Sequence, residues 1–111
     1  MDARTLDREI IERALTEHAA VPYAYGDVRT VTVFDREQDH YLLVDVGRDG
    51  LRRVHGCLIH IDIVDDEIHV QRDGTERGIS RVLVAAGIAP ERIVLTFHPN
   101  GPLRYSDAIA A

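Results

Sequence analysis

The sequence predicts an α+β domain in which helices cover one face of a four-stranded antiparallel meander. Three observations predict this class: two segments repeat apolar residues at helical spacing, the residues between them alternate with a period of two, and Asp49-Gly50 is a hairpin signal. A length of 111 residues with 45% hydrophobic residues fits one domain over residues 1–111 with a single core. The expected order is an N-terminal helix, four strands, a second helix and a short C-terminal strand or turn.

The first element is predicted to be an amphipathic helix over residues 3–19. Its apolar residues recur at positions that share one helix face, and charged residues lie between them. These apolar residues are Leu6, Ile10, Ile11, Ala14 and Leu15. Pro22 and Gly26 indicate a loop after the helix.

Two strands follow, because β-branched and other apolar residues begin to alternate with polar ones. The first strand lies around Val31 and Val33, the second lies around residues 42–46, and a polar loop connects them. Asp49 and Gly50 are predicted at the centre of a two-residue turn into the third strand, since both central residues of such a turn need positive φ.

Two turns define the expected register of the sheet. The first turn pairs Tyr41 with Leu58, and a second turn, made by two aspartates, pairs Asp62 with His69. This register places a set of apolar side chains on one face, which is the predicted core face. They are Val44, Val46, Cys57, Ile59, Ile61, Ile63, Ile68 and Val70.

A capping box is predicted to start the second helix. Asp73 is followed three residues later by Glu76, a pattern in which the first carboxylate accepts a free backbone N–H and the second side chain reaches back. Apolar residues then recur at helical spacing as far as Gly87, which is a suitable C-terminal stop. Pro90 begins a turn, residues 94–97 are predicted to form a short strand, and the tail after them is expected to be irregular.

The other sheet face is the candidate functional surface. It combines aromatic, aliphatic and hydrogen-bonding side chains, whereas a purely solvated face would be more polar. Such a composition is typical of a protein contact, either with a foreign protein or with a second copy of the chain. The candidate interface residues are Tyr41, Leu43, Leu58, His60, Asp62, His69 and Gln71.

Part of this surface carries donors that suit a metal ion. His60, Asp62 and His69 are expected to be cross-strand neighbours, and imidazole with carboxylate suits zinc or iron. With Asp73 they define the alternative function, a metal-dependent hydrolase or nuclease-like enzyme. Their spacing is not that of a known ligand motif, and a histidine beside an aspartate across a hairpin is more often a hydrogen-bonded surface pair. We therefore predict no catalytic, metal or cofactor residues, and we interpret His40 as an ordinary surface group near a strand end.

The charge balance bears on nucleic-acid binding. Nineteen acidic residues stand against thirteen basic ones, all of them arginine, and the net charge is −6. This charge repels phosphate, so we expect no direct binding of nucleic acid by the chain alone. The absence of lysine from the sequence excludes a nuclease site built from two carboxylates and a lysine.

Cysteine content and hydropathy indicate the compartment. Cys57 is the only cysteine, which excludes an internal disulfide and fits a reducing environment. The charged amino terminus lacks the apolar run of a secretory signal. No segment approaches the roughly 20 apolar residues of a membrane span. We expect a cytoplasmic protein with no membrane partner.

Four segments in order along the chain carry a family resemblance. They are RRVHGCLIHIDI at residues 52–63, VQRDGTE at 70–76, VAAGI at 84–88 and IVLTFH at 93–98. Together they resemble the XisI family of fdxN element excision controlling factors, in which similar segments follow one another at similar spacing. The resemblance extends to Pro22, Tyr23, Tyr25 and Gly26 in the first loop, and to Tyr41, Leu42, Leu43, Val46 and Gly47 in the second strand.

The resemblance implies an accessory role in DNA recombination. XisI-like proteins are encoded beside XisH and act, with a serine-type recombinase, in the programmed excision of a DNA element from a nitrogen-fixation operon of filamentous cyanobacteria. By resemblance, this chain is expected to be a non-catalytic regulator that binds an XisH-like protein. Homo-oligomerisation is the other expected contact.

Overall fold

In the described part of the chain, six strands form one mixed sheet, and their order in space follows their order in the sequence. The computed structural model describes residues 2–23 and 26–110, so Tyr25 of the XisI-like pattern lies outside the described residues. In chain order the elements are α1 (Ala3–Ala19), β1 (Asp27–Asp35), β2 (His40–Asp49), β3 (Arg52–Val64), β4 (Glu67–Asp73), α2 (Ile79–Ala85), a 3-10 turn (Pro90–Arg92), β5 (Ile93–Leu95), β6 (Leu103–Arg104) and α3 (Tyr105–Ala110).

The α+β class and the first four strands agree with the prediction, but the sheet continues beyond the meander. Strands β1 to β4 pair antiparallel in sequence, β5 pairs parallel with β4, and β6 pairs antiparallel with β5. The parallel pair follows from the crossover through α2, which returns the chain to the same end of the sheet. The short strand predicted at residues 94–97 is present as β5, but the expectation of an irregular tail after it is wrong, because β6 and α3 lie there. β5 and β6 have only three and two residues, too few to show an alternating pattern.

Helix α1 has the predicted bounds and buries the predicted face. Asp2 caps its first turn, because its carboxylate accepts a hydrogen bond from the backbone N–H of Thr5 at 2.7 Å. Ile11 and Leu15 are fully buried. The helix packs against β1, β2 and α2, and it therefore covers one face of the sheet.

Two buried carboxylates bind arginine at this helix–sheet contact. Asp39, in the β1–β2 loop, accepts hydrogen bonds from Arg8 Nε of α1 and from the Tyr41 hydroxyl, each at 2.8 Å. The hydrogen bonds from Arg8 hold the pKa of Asp39 below its ordinary value. Asp7 of α1 pairs with Arg92 of the 3-10 turn. These charge-assisted contacts fix the position of α1 over the sheet.

The two predicted hairpins differ in outcome. The β3–β4 hairpin has the predicted register, with Asp62 opposite His69. The β2–β3 turn lies one residue later than predicted, at residues 50–51, and Asp49 lies opposite Arg52. This displacement alone would leave every side chain on its predicted face, because it changes the pairing by two residues.

A bulge then reverses the faces of β2. Val44 lies opposite Cys57 and Leu43 lies opposite Ile59, so Leu58 is an extra residue on β3. One extra residue moves the paired side chains to the opposite face. Leu43 is therefore fully buried, whereas Val44 and Cys57 are only partly buried.

The core lies between the sheet and the helices α1 and α2. The predictions for Ile59, Ile61, Ile63, Ile68 and Val70 are confirmed. Those for Val44, Val46 and Cys57 are wrong, since these three lie outside the buried cluster. The largest fully buried side chains are Tyr41, Ile11, Leu15, Leu43, Ile59, Ile61, Ile68, Leu83, Ile88, Ile93 and Val70. Among the described residues, no helix combines the length and the apolar character that a bilayer crossing requires.

Helix α2 begins later than the capping box predicts. Asp73 accepts hydrogen bonds from the backbone N–H groups of Thr75 at 3.0 Å and Ile79 at 2.7 Å, so it caps the helix across a loop. Glu76 is exposed and lies outside the helix, and the predicted reciprocal contact is wrong. Gly87, with a φ of 120°, follows the end of the helix as predicted.

Candidate functional site

One face of the sheet is turned away from α1 and α2, and we call it the open face. Cross-strand pairs define it, because Val31 lies opposite Val44 and Val33 lies opposite Leu42. Leu42 in turn lies opposite His60 of β3. The side chains that share this face include Val31, Val33, His40, Leu42, Val44, His60, Asp62, His69 and Gln71.

Four aliphatic side chains of β1 and β2 form an apolar strip on the open face. Val31 and Val33 lie on the edge strand and are 36% and 46% exposed. Leu42 and Val44, beside them on β2, are half-buried. Directly opposed residues place their Cβ atoms about 4.5–5.5 Å apart, so the four side chains form one continuous patch.

A histidine–aspartate cluster borders this strip, and Asp62 is at its centre. Asp62 Oδ1 lies 2.6 Å from His40 Nδ1 and 2.8 Å from His60 Nε2. The Asp62 side chain is 15% exposed, whereas those of His40 and His60 are 49% and 32% exposed. Gln71 Nε2 donates to the other oxygen, Asp62 Oδ2, at 3.4 Å. The carboxylate therefore contacts three polar side chains from three strands.

The strand register explains how this cluster forms. His40 is the first residue of β2 and lies opposite Asp62 of β3. His60 precedes Asp62 by two residues on β3, and residues two apart on a strand share a face. The bulge that buries Leu43 is also what places His40 on the same face as His60.

The cluster favours a protonated histidine. The hydrogen bond that His40 donates to the Asp62 carboxylate raises the pKa of His40 above its ordinary value. A protonated His40 forms an imidazolium–carboxylate pair with Asp62, and the unprotonated ring offers a nitrogen donor in the same place.

His69 is on the open face but has a different partner. Its Nε2 lies 3.3 Å from Glu67 Oε1, and Glu67 also binds Arg104 of β6. The contact with Arg104, and then that with His69, lowers the pKa of Glu67. His69 is thus paired with Glu67 on its own strand, β4, and Glu67 links it to Arg104 of β6.

The structure changes the predicted group of metal donors. The alternative set of His60, Asp62, His69 and Asp73 is not assembled, because Asp73 binds the start of α2 and His69 binds Glu67. Instead, in the described part of the chain, the donor atoms of His40, His60 and Asp62 all lie within 4.8 Å of one another. His40 is 49% exposed at the start of a strand, as the sequence predicts, but it also pairs with Asp62, and the correct β2–β3 register would have revealed this pairing.

The predicted interface residues divide between the two faces. Tyr41 and Leu43 are 0% exposed in the core, and Leu58 is partly buried against it, so their assignment to a free surface is wrong. Burial raises the pKa of the Tyr41 phenol, and its hydroxyl donates to Asp39. The remaining four, His60, Asp62, His69 and Gln71, lie on the open face. The exposed valines of β1 were not predicted as interface residues.

Comparison with known proteins identifies the family. A family model described as XisI protein matches residues 1–109. The chain belongs to the XisI family. Its family segments at residues 52–63 and 70–76 form most of β3 and β4, which are the strands that supply His60, Asp62 and His69.

Solved structures of XisI-like proteins have the same fold. An XisI-like protein from Anabaena variabilis ATCC 29413 is 34% identical, with a TM-score of 0.78 over 86% of this chain and 87% of the other. The fdxN element excision controlling factor XisI from the same organism is 26% identical, with a TM-score of 0.72 over 87% and 88%. None of the curated proteins compared with the chain matches it.

Proposed function

We propose that this XisI family member is a cytoplasmic, non-catalytic accessory factor that binds an XisH-like protein through its open face. One solved relative is an fdxN element excision controlling factor, and the proposal extends that regulatory role to this chain. The observation that carries the proposal is the apolar strip on an acidic domain.

The composition of the open face supports a protein contact. Val31 and Val33 present exposed aliphatic surface, and the His40, His60 and Asp62 cluster supplies hydrogen-bonding groups beside it. An apolar patch with a polar border is the usual arrangement of a protein interface. The border can define the orientation of a partner, because unpaired polar groups would be left buried in any other arrangement.

Charge supports an indirect role in DNA excision. The net charge is −6, and phosphate contacts by the chain alone would require arginine to overcome this repulsion. A partner that itself binds DNA removes that requirement. The separate engagement of His69 with Glu67 and of Asp73 with α2 supports a non-catalytic role.

Co-purification with an XisH-like protein tests the proposal. Val33→Glu places a charge in the apolar strip and should abolish capture, because the carboxylate would be buried without a partner. Leu51→Glu is a matched control, since Leu51 is 100% exposed at the β2–β3 turn and lies outside the strip. It should be captured like the wild type. Circular dichroism confirms that both variants are folded.

Two results would contradict the proposal. Capture of Val33→Glu at the wild-type level would remove the open face from the contact. A wild-type homodimer that Val33→Glu dissociates, together with no capture of the XisH-like protein, would assign the face to self-association. Analytical ultracentrifugation of the wild type and of Val33→Glu, each without a partner, shows whether a homodimer forms and whether the substitution dissociates it.

A further inference from the structure

We infer that His40, His60 and Asp62 form a binding site for one divalent transition-metal ion, with Zn²⁺ the best match to the donors. The site does not depend on the proposed XisH-like partner. It rests on the geometry of the donors, on their position in rigid strands and on a hydrogen bond that orients the carboxylate.

The three donor atoms converge on one small volume. Asp62 Oδ1 is 2.6 Å from His40 Nδ1 and 2.8 Å from His60 Nε2, and all three donors lie within 4.8 Å of one another. Zinc binds histidine nitrogen and carboxylate oxygen at about 2.0–2.2 Å, so tetrahedral donors lie about 3.3 Å apart. The two Asp62–histidine distances must therefore lengthen by about 0.5–0.7 Å, and the two histidine nitrogens, which lie within 4.8 Å of each other, must reach the same spacing. The χ2 torsions of aspartate and histidine are soft, so small rotations of the three side chains can supply both movements.

The ligands stand on adjacent strands of the sheet. His40 is the first residue of β2, directly opposite Asp62, and His60 lies two residues from Asp62 on β3. Sites built on strands hold their ligands more accurately than sites built on loops. The sheet therefore brings these side chains together before an ion binds.

A second layer of contacts orients the carboxylate ligand. Gln71 Nε2 donates to Asp62 Oδ2 at 3.4 Å and leaves Oδ1 directed at the two histidines. The Thr96 hydroxyl lies 2.7 Å from Gln71 Oε1 and fixes the amide. Hydrogen bonds of this kind to a metal ligand are typical of metal sites.

The donor set selects the class of ion. Two imidazoles with one carboxylate suit Zn²⁺ or Fe²⁺, whereas Mg²⁺ and Ca²⁺ prefer oxygen ligands throughout. Three protein ligands leave at least one coordination position of the ion free. His40 and His60 are 49% and 32% exposed, so this position faces solvent on the open face. Water or a side chain of another molecule can fill this position.

Isothermal titration of ZnCl₂ into tag-free protein, stripped with EDTA and dialysed, tests the site. We expect saturation at one ion per chain. His40→Ala and Asp62→Asn should each weaken binding by about 100-fold or more, since loss of a second-layer contact alone typically costs 10–100-fold. His69→Ala is the matched control, because His69 is on the same face but binds Glu67, and its affinity should equal that of the wild type.

Absorption spectra with Co²⁺ give a second measurement that reports the ligands directly. The wild type and His69→Ala should show the same visible bands of a low-coordinate Co²⁺ ion, and His40→Ala should lose them. His40→Ala also guards against loss of folding, because His40 is 49% exposed at the start of a strand. Absence of saturable Zn²⁺ binding, or binding that His40→Ala and Asp62→Asn leave unchanged, would overturn the inference. Neither result bears on capture of an XisH-like protein, which is measured separately.

Discussion

Replacing Asp39 with asparagine tests the contact that holds α1 on the sheet. The Asp39 side chain is only 7% exposed, and it accepts hydrogen bonds from Arg8 Nε and Nη2 at 2.8 and 3.1 Å. It also accepts from Arg4 at 3.3 Å and from the Tyr41 hydroxyl at 2.8 Å. Asp39 has a φ of 60°, and asparagine tolerates this left-handed conformation, so the substitution mainly removes the charge.

The expected loss can be worked out from these contacts. Hydrogen bonds to a charged group contribute about 1.5–3 kcal/mol, and a neutral amide keeps a part of each one. Arg8 is 24% exposed, and water compensates some of the loss. We expect Asp39→Asn to lower the free energy of unfolding by about 2–3 kcal/mol, which is between the values for surface pairs and fully buried pairs.

Urea unfolding followed by circular dichroism measures this change. Arg36→Ala is the control, because Arg36 is 49% exposed and pairs with Glu12 at the surface, where such pairs contribute about 0–1 kcal/mol. A double-mutant cycle with Arg8→Ala isolates the coupling between Arg8 and Asp39. A loss for Asp39→Asn no larger than that for Arg36→Ala would refute the assigned role of this contact.

The pH dependence has a defined sign. The folded-state pKa of Asp39 is lowered, chiefly by its hydrogen bonds with Arg8. Its contribution is therefore fully present above the unfolded pKa of about 3.9 and is lost as the pH falls through the folded value. The stability difference between the wild type and Asp39→Asn should be constant from about pH 5 to 7 and should shrink below about pH 4. A difference that grows towards acid would contradict this account.

Three further substitutions test the register and the packing by the same urea assay. Leu43→Ala should lower the free energy of unfolding by about 2–5 kcal/mol, because Leu43 is fully buried. Leu42→Ala should lower it clearly less, because Leu42 is half-buried on the open face. The reverse order would support the register predicted from the sequence. Gly47→Ala should cost about 3 kcal/mol, because a Cβ there would overlap the β1 backbone, and an unchanged stability would contradict the β1–β2 pairing. Arg92→Ala should lower the free energy of unfolding by about 3 kcal/mol, because it leaves the 6%-exposed carboxylate of Asp7 without its ion pair. A loss below about 0.5 kcal/mol would show that this pair does not stabilise the position of α1.

The sequence predicts the elements with long or strongly periodic patterns. Helix α1 has the predicted bounds, and the β3–β4 hairpin has the predicted register. Both have apolar residues on one face only, so a shift by one residue would bury charge. The short strands β5 and β6 carry too few residues for such a pattern.

The face of β2 could not be assigned from the sequence for a specific reason. Leu42, Leu43 and Val44 are consecutive apolar residues, so either phase of the alternation buries apolar side chains. The choice is made by the bulge at Leu58. Gly56, two residues earlier, is a signal for a bulge in this region but does not define which residue is the extra one. The error propagated to the candidate site, where it placed Tyr41 on the free face and separated His40 from Asp62.

We propose that the open face is the surface that binds an XisH-like partner. A crystal structure of the complex tests it most directly. We expect the partner to contact Val33, Leu42 and His60 and to bury the apolar strip. A partner seated on α1 and α2, with Val31 and Val33 still exposed to solvent, would contradict the claim.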